Sequence, residues 1–241
     1  MAKAKLKETT APAPFRGFSP RLFEFFEGLA AHQTRDWFLA HRADYDENVK
    51  APMTAIVESL ALAFAAHDIP LTGSAERSLF RLNRDVRFSK DKSPYKTNAS
   101  AVLSRDGTKQ ARGVFYISLG ARHDGAARGG MMAAGFYGSE PAELAALRQA
   151  IAGAPARWLA IEAALADAGL AFDTSSGLSR LPKGFETHAA SAVAPALKLK
   201  GFHVRRNVPE AALYGPGLID EAVAFARQTL PLLNFGWNAL A

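Results

Sequence analysis

The 241-residue sequence contains no cysteine, which removes disulfides, thiolate metal sites and cysteine nucleophiles from consideration. It also lacks the H-E-x-x-H and H-x-H histidine spacings, the G-x-x-x-x-G-K-[ST] phosphate loop and the G-x-S-x-G nucleophile elbow. The six histidines are scattered, so no histidine-centred zinc site is expected. The glycine-rich run Gly120 to Gly130 joins two expected strands and opens no helix, which rules against a dinucleotide fingerprint. No run approaches the roughly 18 apolar residues expected of a membrane span. Met1 to Pro14 has no apolar core of the secretory kind and reads as a disordered basic tail. No membrane association is expected, and the absence of cysteine fits a cytoplasmic location.

What the chain does have is one concentration of charge. Phe80 to Thr97 reads FRLNRDVRFSKDKSPYKT and holds six basic side chains against two acids. That local excess is most of the net charge of +6. Phe80 to Phe88 alternates at period two, as a half-buried strand does. The even positions are apolar except for Arg84, and the odd positions are Arg81, Asn83, Asp85 and Arg87. Same-face neighbours on a strand lie roughly 7 Å apart, a spacing at which two guanidiniums can clamp an anion. Arg84 takes the core-facing parity, and a buried guanidinium is costly without a carboxylate partner. Ser93-Pro94 then marks a turn, ringed by Lys90, Lys92 and Lys96, whose backbone amides can form an anion nest. Tyr95 adds a hydroxyl and a flat ring, and Asp91 joins Asp85 as an acid able to orient an arginine or hold magnesium.

The remaining chain reads as one α+β domain over residues 15–241, an antiparallel β-meander of four or more strands packed with N-terminal and C-terminal helices. Ser19-Pro20 is a helix start, placing Leu22, Phe23, Phe25, Phe26 and Leu29 on one apolar face. Further helices are expected at about 35–45 and 52–67. Strands follow Phe80–Phe88 at 99–103, 113–119 and 130–137, with turns at Arg105-Asp106-Gly107 and His123-Asp124-Gly125. Helices return at 141–152, 155–168 and 218–229, with an irregular stretch from 172 to 202.

Three readings of the basic stretch stand side by side. The first is a cationic cleft at residues 81–96 that takes a phosphorylated or carboxylated small molecule, with Trp37 and Tyr137 as walls. The second is a nucleic-acid-binding module, in which Phe88, Tyr95, Phe115 and Tyr116 stack bases while the cations grip phosphates. The third is an internal charge network, whose sign would be Arg84 and Asp85 buried against each other. No catalytic residue, cofactor or metal ligand is assigned.

The run RDVRFSKDKSPYKT resembles the signature of the DUF2461 family. Phe15-Arg16-Gly17-Phe18 and Arg35-Asp36-Trp37-Phe38 resemble its opening, and Gly135-Phe136-Tyr137 with Leu144 and Arg148 its middle. Leu181-Pro182-Lys183-Gly184-Phe185 and Leu197-Lys198 resemble its C-terminal part. Ala31-His32-Gln33-Thr34 departs from the pattern, where an asparagine-containing turn is expected. The resemblance spans nearly everything from Phe15 onward and implies no established activity.

Overall fold

A computed structural model describes residues 14–87, 90–120 and 128–241. The expected turn at His123-Asp124-Gly125 and the expected stacking residue Phe88 lie outside them, as does most of the basic tail.

Four strands form one antiparallel sheet in chain order: β1 (Asn98–Leu103), β2 (Val114–Gly120), β3 (Gly129–Phe136) and β4 (Phe202–Pro209). Together with the helices this is the expected α+β fold. Two strand assignments differ from the sequence reading. Phe80–Phe88 is not a sheet strand, and the fourth strand is instead β4, whose basic pair Arg205-Arg206 hides its alternation. Phe202, Val204 and Val208 are its buried positions.

Period two sets the faces of the sheet. In β2, Phe115, Ile117 and Leu119 are buried, while Val114, Tyr116 and Ser118 are only half-buried. The buried face receives α1 (Arg21–Ala31), α4 (Ala51–Ala66) and α9 (Leu218–Ala239). The α1 face is the one expected, with Leu22, Phe23, Phe25, Phe26 and Leu29 all buried. Its start differs, because Pro20 rather than Ser19 is the N-cap residue and no side chain caps the helix.

The second and third expected helices form a different pattern. After α2 (Arg35–Ala40), the chain is helical without a break through α3 (Arg42–Tyr45), a π-helical turn (Asp46–Lys50) and α4. By length and composition alone the run Arg42–Ala66 is sufficient to cross a membrane, contrary to the sequence reading. Its Met53, Ile56, Val57, Leu60 and Phe64 are buried within the protein core. The short α5 (Ala75–Ser78) leads toward β1.

The C-terminal half closes the core with α6 (Pro141–Gly153), α7 (Pro155–Asp167) and the single turn α8 (Ala194–Leu197). Arg148 of α6 is buried and donates from Nε to the Leu197 carbonyl at 2.9 Å and from Nη2 to the Leu199 carbonyl at 2.7 Å. Burial lowers its pKa, so those two acceptors offset desolvation of its charge. The last helix runs ten residues past its expected end at Thr229, with Pro231 inside it. The Thr229 hydroxyl donates to the Phe225 and Ala226 carbonyls one turn before the proline.

Candidate anion site at the base of a charged arm

The basic stretch leaves the edge of β1, runs outward and returns. Leu79 bridges Ala101, and the Phe80 amide donates to the Ser100 carbonyl at 3.0 Å. Beyond that the outgoing and returning chains pair with each other. Asn83 bridges Tyr95, the Arg84 amide donates to the Pro94 carbonyl at 2.8 Å, and the Lys96 amide donates to the Leu82 carbonyl at 2.9 Å.

Side-chain capture of the backbone explains why no longer strand forms. Asp85 accepts from the Arg87 amide at 3.2 Å, and Asp91 accepts from the Ser93 amide at 2.9 Å and its hydroxyl at 2.6 Å. Such local bonds compete with ladder pairing. The expected alternation therefore fails on both sides of Leu82: Leu82 is buried, whereas Phe80 and Val86, of the same parity, are exposed.

The arm is pinned to the helical part through Tyr95. Its ring is buried and stacks on Phe38 at 5.0 Å, and its amide donates to Gln33 Oε1 at 3.0 Å. Gln33 belongs to the segment that departs from the family pattern, and it serves as the acceptor that holds the arm.

The expected site residues separate into three groups. At the tip, Arg87 donates to both oxygens of Asp85, at 3.0 and 2.8 Å, and Lys92 donates to the Val86 carbonyl at 2.8 Å. Lys90 is exposed there. In the arm's body, Arg84 is a bracket. Its Nε reaches the Ser93 carbonyl at 3.1 Å, while Nη2 reaches the Tyr95 carbonyl at 3.3 Å and Asp91 Oδ2 at 2.9 Å. The arginine that parity turns toward the core thus finds carbonyls and Asp91, whereas Asp85 takes Arg87. Both carboxyls are held below the usual carboxylate range, Asp85 chiefly by Arg87 and Asp91 chiefly by Ser93.

At the base, the charges of Arg81 and Arg84 both bear on Lys96, and Asn83, bridged to Tyr95, is exposed. Burial lowers the Lys96 pKa, and Arg81 and Arg84 lower it further by like-charge repulsion. Among the described residues no carboxylate lies within ion-pairing distance of Arg81 or Lys96. The Lys96 ammonium sits 5.5 Å from the centroid of Phe80, and Lys109 sits 5.9 Å from the same ring. Lys109 also donates to the Leu79 carbonyl at 2.8 Å. Lys109 and the supporting ring of Phe80 escape a sequence reading because Lys109 lies on the far side of β1.

The residues expected as walls lie apart from this cluster. Trp37 is stacked between His41, at 3.9 Å, and His32, at 5.8 Å. Tyr137 is 80% exposed but follows β3 at the end of the ladder remote from Asn98, with its ring edge-on to His203. Of the described aromatics expected to stack bases, Phe115 and Tyr95 are buried, and Tyr116 reaches the other face of the sheet. Among the described residues no three histidine or acidic side chains form a metal-binding group.

A family model described as a conserved hypothetical protein (DUF2461) matches residues 21–235. The chain belongs to the DUF2461 family. No curated protein and no solved structure matches it. The matched region includes the whole arm and all four strands, so the cationic base is part of the DUF2461 domain itself.

Proposed function

We propose that this DUF2461 protein binds a phosphorylated or carboxylated small molecule at the base of the 80–97 arm. Arg81, Arg84 and Lys96 are its anion contacts, with Asn83 beside them. Lys90, Asp91 and Lys92 flank the approach, and Arg87 with Asp85 stiffens the tip. A cytoplasmic location, where phosphorylated and carboxylated metabolites are abundant, goes with this reading.

One observation carries it. Lys96 is partly buried beside two guanidiniums, and no described carboxylate pairs with it. A fold gains nothing from holding like charges together, and perturbed groups of this kind concentrate where a ligand supplies the missing charge. Arg81 also carries a two-donor guanidinium, whose geometry matches carboxylate and phosphate oxygens.

The test is thermal unfolding with inorganic phosphate, phosphorylated metabolites, dicarboxylates and short oligonucleotides, for the natural chain, Arg81→Gln and Lys96→Gln. A small anion that raises Tm in the natural chain but in neither variant supports the site. A rise only with oligonucleotides, fading with salt, replaces it with a nucleic-acid-binding module. Equal responses in all three proteins overturn the assignment.

A further inference from the structure

The sheet has a second face, and the cationic base opens onto it. Residues directly opposite each other in a ladder share a face. Val102 of β1 is opposite Tyr116, which is opposite Ala133, which is opposite Arg205 of β4. Since Phe115 and Ile117 point to the helices, this row points away from them. The next row, Ser100, Ser118, Met131 and Asn207, points the same way.

Two properties of this face indicate a ligand class. None of the residues in the four strands is Asp or Glu, and the acid that bears on this face, Asp173, acts on His203 and Arg205 of β4 rather than on the β1–β2 end beside the cations. Beside the cations it also has a flat aromatic floor. The Phe80 ring meets Tyr116 edge to face at 6.3 Å, and Ala133 next to Tyr116 leaves the far side of that ring low. Lys96 lies 5.5 Å from the same Phe80 centroid. One ring therefore lies between an unpaired ammonium and a half-buried tyrosine.

We infer that the anion bound at Arg81, Arg84 and Lys96 is the phosphate of a nucleotide unit whose base lies on Tyr116 over Ala133. This rests on the anion-site reading and names its substrate class. A planar base gains contact with the ring and small floor, while the acid-free sheet favours the negative charge that accompanies it. The unit is either a free nucleoside monophosphate or one residue of a single strand, and in the second case the next phosphate falls toward Arg205.

Binding is measured by calorimetry with inorganic phosphate, ribose 5-phosphate, the nucleoside monophosphates and a short single-stranded oligonucleotide. The proteins are the natural chain, Tyr116→Ala, Ala133→Leu, Lys96→Gln and Arg205→Gln. Ala133→Leu fills the floor without removing the Phe80–Tyr116 contact, so a folding defect in Tyr116→Ala does not decide the result. The expectation is that a nucleotide binds at least about fivefold tighter than ribose 5-phosphate. Tyr116→Ala and Ala133→Leu should erase that preference, and Lys96→Gln should weaken every phosphate ligand. Binding of the oligonucleotide alone, reduced in Arg205→Gln, identifies the single strand as the source; the small-molecule reading then gives way to the nucleic-acid-binding module, and the phosphate and base contacts named here belong to the strand. Equal affinity for ribose 5-phosphate and nucleotides, or a preference that survives both floor variants, overturns the inference. If Lys96→Gln still weakens phosphate in that case, the anion site stands without a base subsite. If it does not, both fall.

Discussion

The guanidinium of Arg84 donates to the backbone carbonyl of Tyr95, eleven positions along the chain, at 3.3 Å. This contact joins the outgoing and returning limbs of the arm, and the same side chain also engages Ser93 and Asp91. Arg84 therefore has a structural duty that Arg81 lacks, although both bear on Lys96.

Arg84→Ala should destabilise the protein by about 1–3 kcal/mol, since it strips charged donors from two carbonyls and from Asp91. Arg84→Lys should recover only part of that loss, because an ammonium cannot reproduce the planar fork. Urea denaturation of both variants measures the difference. A loss under about 0.5 kcal/mol in Arg84→Ala would show that the arm holds its shape without the bracket.

Arg81→Gln should behave in the opposite way. Arg81 is exposed and has no ion-pair partner among the described residues. Its replacement should leave stability within about 0.5 kcal/mol of the natural chain, while the anion-induced rise in Tm disappears. Losing a repulsive neighbour should also raise the pKa of Lys96. Chemical-shift titration of the labelled lysine ammonium checks that direction, and an unchanged pKa would separate the two residues electrostatically.

His203 gives the fold a pH dependence of defined sign. Burial holds its pKa below the ordinary 6.5, with Arg205 adding to the depression and Asp173 opposing it. Its Nδ1 is buried without a hydrogen-bond partner, so the neutral ring suits the site. Between the folded pKa and 6.5 the unfolded chain binds more protons, so stability rises with pH in that window. The contribution is complete above 6.5 and is lost as pH falls toward the folded value. The urea midpoint should therefore drop from pH 7.5 to 5.0 more steeply in the natural chain than in His203→Gln. Parallel profiles would show that His203 titrates alike in both states.

The helices and the β1–β3 meander were legible because their apolar positions repeat at the period of the element that buries them. The 22-residue span of α9 was not, since Pro231 is a stop signal only where tertiary packing does not override it. β4 was hidden because its outward positions His203, Arg205 and Asn207 are polar and Arg206 takes a core-side parity. Arg206 reaches the Ala168 carbonyl at 2.9 Å and lies over Phe225, contacts that period alone does not reveal. The basic stretch was found as a site candidate by charge alone. Its shape was not, because Asp85 and Asp91 spend their carboxylates on local turns that a strand pattern ignores.

The Gly135-Phe136-Tyr137 motif supplies the sharpest packing test. The Phe136 ring occupies a slot between Gly113 and Gly236, and a Cβ on Gly236 would lie 2.1 Å from Cε2 and 2.3 Å from Cζ of that ring. Gly236 is inside α9, where alanine would by propensity be worth about 1 kcal/mol. The ring cannot yield easily, because Gly113, at φ +71°, closes the other side with its own Cβ position 2.7 Å from Cζ. Overpacking of a filled core costs about 1–3 kcal/mol, which outweighs the propensity gain of about 1 kcal/mol, so Gly236→Ala should lower stability by up to about 2 kcal/mol. Phe136→Leu in the same background should recover part of the loss by vacating the slot, a coupling that a double-mutant cycle in urea resolves. A Gly236→Ala variant more stable than the natural chain would mean that helix propensity governs the position and that the slot is looser than these distances require.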